Sequence, residues 1–287
     1  MRGDFRTDPG LSPALFHLLD QVFPGIAGGA ARLRGWGAAW EEVSTPFVHR
    51  AADGEVLAHV GLIPLPLILE GKPARAATVH AVSCHPGHRR RGLYRGVMDE
   101  LLDHAASRYD TLLLTTEHPE YFTPFGFQVV EECAFDLEPG GLGMRQAQVL
   151  DLDREVDRAV AHRILGTREP VSRKLGVGPE RAVFLFNEAR AGIRHIPELD
   201  TLLCLEEDGD TVRLFDVAAP RLPSLDELRP WLPASRRLEL AFAPDRLAPE
   251  AVARPRLFEH DGPSWLLVRG HWLPAGTPFT VPRSART

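Results

Sequence analysis

Between Ala76 and Arg108 the chain reads A-A-T-V-H-A-V-S-C-H-P, then G-H-R-R-R-G-L-Y-R-G, then V-M-D-E-L-L-D-H-A-A-S-R. The first stretch is apolar and β-branched, and it stops at Pro86, which has no N–H with which to continue a ladder; the pattern predicts a strand. In the last stretch Leu93, Val97, Met98, Leu101, Leu102 and Ala105 share one helical stripe, with Asp99, Glu100 and Asp103 opposite. A second apolar strand, Thr111 to Thr116, follows after a crossover long enough to set it parallel to the first. The turn between strand and helix is short, cationic and contains glycine. Such a turn aims free N–H groups and the positive end of a helix dipole at one point, which suits a phosphate or pyrophosphate. Arg89, Arg90 and Arg91 add charge there, and Gly92 lets the backbone approach a ligand with no Cβ in the way. Cations at a helix N-terminus are unfavourable by about 0.3–1 kcal/mol each unless an anion sits beside them. The arginine run is therefore read as an anion site and not as an ordinary solvated turn.

The remaining elements are placed around that unit. Leu15, Phe16, Leu18, Leu19, Val22 and Phe23 predict a helix entered through Ser12-Pro13 and ended near Pro24-Gly25, with a shorter helical piece from Ala30 to Trp40. The run from Thr45 to Arg75 reads as consecutive antiparallel strands turned at Asp53-Gly54 and Glu70-Gly71. H-P-E-Y-F-T-P-F-G-F, from His118, offers a short turn or helix, and Q-V-V-E-E-C-A-F-D-L, from Gln128, one or two closing strands. Glu138-Pro139-Gly140-Gly141 is the best linker candidate. Beyond it the pattern predicts a helix from Asp153 to Leu165, capped by Asp153 and ended by Gly166. A hairpin turning at Asp208-Gly209, a capping box at Ser224 to Glu227, and the strands R-L-E-L-A-F and S-W-L-L-V-R-G complete the second half. Its order of helix, hairpin, strand, helix and strand echoes the first half.

At 287 residues the chain more naturally holds two domains than one. The formal charge of −6 argues against non-specific nucleic-acid binding and leans toward a cationic ligand. Cys84, Cys133 and Cys204 are odd in number and far apart, which fits buried thiols in a reducing compartment. The N-terminal residues have no apolar core region and no run approaches a membrane span, so a cytoplasmic protein without membrane contact is expected.

Ala81 to Arg95, together with Tyr121 to Phe127, resembles the GNAT superfamily of N-acetyltransferases. Arg89, Gly92 and their spacing from Pro86 match the family's Arg/Gln-x-x-Gly-x-Gly/Ala pyrophosphate loop; Tyr94 stands where the family usually has Gly or Ala. The resemblance implies an α/β (α+β GNAT) fold with a mixed, largely antiparallel sheet around a parallel, splayed central strand pair. It implies acetyl-CoA as co-substrate, with Val82, Ser83 and Cys84 pairing with pantetheine and Arg89, Arg90, Arg91, Gly92, Leu93 and Tyr94 holding the pyrophosphate. An acetyl group would then pass directly to the amine of a small molecule or an exposed amino group. The alternative is a non-catalytic acyl-CoA-binding or regulatory protein of the same fold.

In the family a Tyr often stands four residues before the Gly of the closing Gly-Phe, where it protonates the departing thiolate. Here that position is Phe122, and the neighbouring Tyr121 is the candidate acid, with water as the other source of the proton. Glu117 and His118, at the end of the second core strand, are the candidate bases. His80, His85 and His88 do not make a metal site, since His80 and His85 are an odd number of residues apart on an extended run and face opposite sides. Cys84 reads as a packed thiol. The second half has no anion loop: Pro220-Arg221-Leu222-Pro223-Ser224-Leu225 lacks glycine and two of its residues lack N–H donors. The expected organisation is a catalytic GNAT domain at 1–140 and a degenerate GNAT-like accessory domain at 144–287. Tandem acetyltransferases such as the enhanced-intracellular-survival family share this logic. That family carries a further C-terminal domain, for which this chain has no room, so its substrate is not carried over.

Overall fold

The largely apolar run of residues 45–84 forms antiparallel strands, the two longest of which, Val56–Leu65 and Ala76–Cys84, are buried along most of their length. The computed structural model describes residues 1–138, 143–259 and 263–287. In the first half the elements are α1 (Leu11–Val22), α2 (Ile26–Gly35), α3 (Trp40–Val43), β1 (Thr45–Arg50), β2 (Val56–Leu65), β3 (Leu67–Leu69) and β4 (Lys72–Pro73). They continue as β5 (Ala76–Cys84), α4 (Leu93–Ala106), β6 (Thr111–Thr116), β7 (Gln128–Val130) and β8 (Glu132–Leu137). The second half holds β9 (Gln148–Val149), α5 (Glu155–Thr167), β10 (Leu175–Val177), α6 (Ala182–Glu188), β11 (Arg194–Ile196), β12 (Thr201–Asp208) and β13 (Thr211–Ala218). It ends with α7 (Leu225–Leu228), β14 (Arg237–Leu240), β15 (Val252–Arg256), β16 (Phe258–Glu259) and β17 (Pro263–Gly270).

The fold is mixed α/β, with largely antiparallel sheets and one parallel pair in each of the two large ones. The first runs β1-β2-β5-β6-β17-β16, with β7 also on β17; the second runs β15-β8-β14-β13-β12-β11-β9. The parallel pairs are β5 with β6 and β13 with β14. Val97, Met98, Leu101 and Ala105 of α4 pack on Phe47, Val60, Leu62 and Val79 of the first sheet, as the stripe predicts. A second domain with its own core occupies the C-terminal half, where Leu203, Leu205, Val212, Leu214, Leu238 and Leu240 pack together.

Five ladders join the halves, one of them β17 with β7. β17, read from sequence as part of the second half, pairs along all of β6, from Trp265↔Thr116 to Gly270↔Thr111. In return β8 leaves the first half and pairs with β14 and β15. β3 pairs with β10, Ile68 opposite Gly176. The closing run Q-V-V-E-E-C-A-F-D-L is thus split between two sheets at Glu131. Pro139, Gly140 and Gly141 of the expected linker lie outside the described residues.

Local expectations are corrected at three places. The helical piece expected at 30–40 is two helices, α2 and α3, broken after Gly35 where the chain turns through Gly37 at φ +70°. Asp153 does not cap α5, whose N-cap residue is Arg154 and has no side-chain cap; the Asp153 carboxylate accepts from Trp36 Nε1 at 2.8 Å instead. Gly166 does not end that helix, which runs on to Thr167 before Arg168 turns extended.

Candidate functional site

β5 and β6 are paired only at Ala76↔Thr111, Ala77↔Leu112 and Thr78↔Leu113. Beyond Thr78 both strands continue but no longer face each other as a ladder, so from Val79 to Cys84, about 20 Å at 3.3 Å per residue, β5 has no strand partner on that side. A bulge follows just past the last paired residue, Thr78. On the β2 side the register slips between His59↔Ser83 and Gly61↔His80, and Ala81 takes φ +48°, a left-handed conformation that an alanine adopts only when its surroundings impose it. His59 is fully buried and donates from Nδ1 to the Ala81 carbonyl at 2.8 Å, clamping the bulge. Burial pulls the His59 pKa down to about 4, so the clamp is a neutral imidazole.

His80, the residue before the bulge, lies 3% exposed against Trp40, with ring centroids 4.6 Å apart. Its Nε2 shares a 2.9 Å hydrogen bond with the Ser44 hydroxyl, while Nδ1 has no partner among the described residues. Burial also lowers its pKa well below the usual imidazole value. Only glycine fits under this ring, since a Cβ on Gly61 would lie 2.1 Å from His80 Nε2. His80 and His85 do part company: His85 leaves the strand and accepts the Gly87 N–H on Nδ1 at 3.1 Å, shaping the next turn.

That turn delivers the chain to α4. Arg90 and Gly92 both take positive φ, +62° and +78°, and Gly92 is the N-cap residue. No side chain caps the helix and its first turn holds no acidic residue. A Cβ on Gly92 would meet no atom within 4 Å. Arg89, Arg90 and Arg91 are exposed around this open helix end, Arg89 reaching back to the Cys84 carbonyl at 3.5 Å. An uncapped helix N-terminus with cations beside it and open space over its N-cap is equipped to hold a phosphate-type anion.

Tyr94 does not stand over that space. Its ring packs edge-on against Phe122 and Phe125, and its hydroxyl donates to the Tyr121 carbonyl at 3.2 Å, while burial raises its pKa and keeps it protonated. Val82 and Cys84 are half-buried and Ser83 is buried at the open end of β5. Burial pushes the Cys84 thiol up, as suits a packed thiol.

The candidate proton carriers sit where β6 ends. Glu117 and His118 are exposed, and the His118 ring stacks tilted on Tyr121 at 5.0 Å and pairs with Glu120 at 3.3 Å. Tyr121 is 57% exposed, whereas Phe122 is 5% exposed and part of the core, so the two neighbours point apart as one-residue spacing on a turn requires.

Sequence reasoning missed what lies across the gap. Residues 283–287 come in from the second half and seat Thr287 between the diverging strands: its hydroxyl is 2.5 Å from that of Thr78, and its main-chain oxygen accepts from Thr115 Oγ1 at 2.6 Å. Buried ion pairs hold this segment, Arg283 on Glu188 at 2.7 Å and Arg286 on Glu132 at 2.5 Å, and Ser284 bonds Asp216. Nothing in local periodicity signals it, because Thr78, Thr115, Glu132, Glu188 and Asp216 are all more than sixty residues away. Beside Thr287 opens a cavity of about 290 Å³ that His80, Ala81, Thr116 and Glu117 border on one side and aromatic residues of α1, α3 and α6 on the other.

The second sheet repeats the parallel pair without the anion turn. α7 is closed by its own capping box: Ser224 Oγ accepts the Glu227 N–H and Glu227 accepts the Ser224 N–H at 2.7 Å. Arg221 first, and then Ser224, draw the Glu227 pKa down to about 2. The helix end that would take an anion is filled by the chain's own carboxylate.

The acetyltransferase (GNAT) domain family model matches residues 11–130. Three solved structures resemble nearly the whole chain. A protein of Enterococcus faecalis V583 described as a probable N-acyltransferase has TM-score 0.56 at 12% identity, over 94% of this chain and 71% of that one. A GCN5-related N-acetyltransferase from Kribbella flavida has 0.55 at 12%, over 90% and 68%. Eis1 from Mycobacterium abscessus has 0.55 at 15%, over 92% and 71%. At these identities the likeness is one of fold. A comparison with curated protein sequences finds no match.

Proposed function

We propose that the protein is an acetyl-CoA-dependent N-acetyltransferase that acts on an amine through a ternary complex: residues 11–130 match the acetyltransferase (GNAT) domain model, and nine-tenths or more of the chain shares the fold of GNAT-type structures. The observation that carries this reading is the junction of three features at one gap. The open edge of β5 leads at one end to the uncapped start of α4 and borders, at the bulge, a half-open cavity.

On this reading the coenzyme diphosphate rests on the N–H groups opened by Gly92, with Arg89 to Arg91 around it, and the pantetheine arm runs along Val82, Ser83 and Cys84. Strand N–H and C=O groups that have lost their ladder partners supply its hydrogen bonds. The thioester carbonyl then lies at the splay, beside the cavity. An amine held there attacks the carbonyl carbon, a strand N–H stabilises the oxyanion, and the C–S bond breaks to release the CoA thiolate. Glu117, at the mouth of the cavity, is the group we assign to take the amine proton, with His118 next to it. Tyr121 or water returns a proton to the thiolate. Phe122 carries no proton and serves as packing under Tyr94.

The decisive experiment mixes the protein with acetyl-CoA, a thiol reagent and a panel of primary amines. Amine-dependent release of CoA is the expected result. Tight acetyl-CoA binding by calorimetry with no turnover across the panel would establish the non-catalytic binder instead.

A further inference from the structure

The cavity beside the splay differs from what an acidic protein with a polycationic acceptor would present. Phe16 and Leu19 come to it from α1, Phe23 from just past the end of that helix, Trp40 from α3, Phe186 from α6 and Phe258 from β16. Its charged groups are few. Glu117 stands exposed at the mouth, and Arg286 is tied to Glu132 at 2.5 Å and stacked over Phe258 at 3.8 Å. His80 is held neutral by its burial. From this lining we infer that the acceptor is an arylalkylamine: an aromatic ring on a short carbon arm that ends in a primary amine. The inference rests on the acetyl-transfer reading above and narrows it to a substrate class.

Size and chemistry agree. An apolar protein cavity of about 150 Å³ is filled by one benzene ring. The 290 Å³ present here leaves room for a ring of that size or a fused pair, together with an arm of two or three carbons. Flat rings stack well against Phe and Trp side chains that are themselves fixed in packed helices. At the splay the polar lining residues are His80, Thr115, Thr116, Glu117 and Thr287, with the charge on Glu117, while Asn187, Ser264 and the Glu132-paired Arg286 lie beside Phe186 and Phe258. That polarity orients the guest: ring among the aromatics, amine at the strand ends where the thioester carbonyl is assigned. A polyamine or an amino-sugar would have to strip several charges and hydroxyls of water against this wall, with the Glu117 carboxylate as the free countercharge.

The test compares kcat/KM for phenethylamine and tryptamine with that for ethanolamine and spermidine, all with saturating acetyl-CoA. The aromatic amines are expected to exceed the hydrophilic ones at least tenfold. Phe23→Ala, at a position 39% exposed and so removable without opening the core, should raise the phenethylamine KM about tenfold. It should leave acetyl-CoA affinity and the melting temperature near their original values. Calorimetry of phenethylamine with the protein alone should show binding that Phe23→Ala weakens by a similar factor. If ethanolamine or spermidine is acetylated as well as or better than the aromatic amines, acetyl transfer stands and the arylalkylamine assignment is overturned. If no amine turns over, phenethylamine binding that depends on Phe23 keeps the assignment of the cavity while the enzyme reading fails. Absence of that binding overturns the assignment.

Discussion

Gly92 carries more of the proposed chemistry than any charged residue near it. Its backbone lies at φ +78°, and the space that a Cβ would enter is empty of protein atoms. Asp is the informative replacement because it separates folding from binding. Asp is a favoured N-cap residue and tolerates left-handed backbone better than most, so the helix should persist and stability should move by no more than about 1 kcal/mol. Its carboxylate, however, would occupy the anion site with the wrong sign of charge. We expect Gly92→Asp to weaken acetyl-CoA binding by at least tenfold in calorimetry while the circular dichroism spectrum stays unchanged. Unaltered affinity would remove the diphosphate from this turn. The same logic explains why the second half has no such site: at α7 the chain supplies its own carboxylate, Glu227, to the helix end.

At the scale of elements, β5, its turn and α4 were legible because each has a strong local signal: β-branched residues up to a proline, a glycine at a positive φ, and an apolar stripe of helical period. β6 was legible as a buried run. The bulge at Ala81 was not, since a left-handed alanine leaves no glycine to mark it and depends on a clamp from His59, twenty-two residues away. That clamp predicts a pH dependence. The folded-state pKa of His59 is about 4 against an ordinary 6.5, so below pH 6.5 the unfolded chain binds a proton that the folded one refuses. Stability is therefore full above pH 6.5 and falls as pH drops toward 4, by up to about 3 kcal/mol for this group. His59→Gln keeps an N–H donor for the Ala81 carbonyl and removes the titration. Urea unfolding at pH 7 and pH 5 should show a smaller loss in the variant than in the original protein. An equal loss in both would assign the acid sensitivity elsewhere.

For the whole molecule, the chain order that suggested two successive halves is not the order in which strands pair. A boundary between residues 140 and 144 is crossed by the β17–β6, β8–β14, β8–β15 and β10–β3 ladders. Strand pairing between distant segments has no periodic signature; S-W-L-L-V-R-G looks the same whichever sheet receives it. The consequence is energetic. Leu267 of β17 packs into the core under α4, and Leu266 and Val268 pack with Leu65 and Leu113, so the first sheet is incomplete without residues from beyond 260. Likewise Glu132 of β8 holds Arg286, and Arg286 leads directly to Thr287 in the splay. Neither half can lose its structure without baring edge strands and buried charges of the other. Unlike two beads on a linker, the chain should therefore melt in a single calorimetric transition with calorimetric and van't Hoff enthalpies in agreement. A fragment of residues 1–138, which lacks β17 and leaves both β6 and β7 without that partner, should not fold by itself. Two separable transitions, or a fragment with native near-ultraviolet dichroism, would show that the exchanged strands decorate two independent domains.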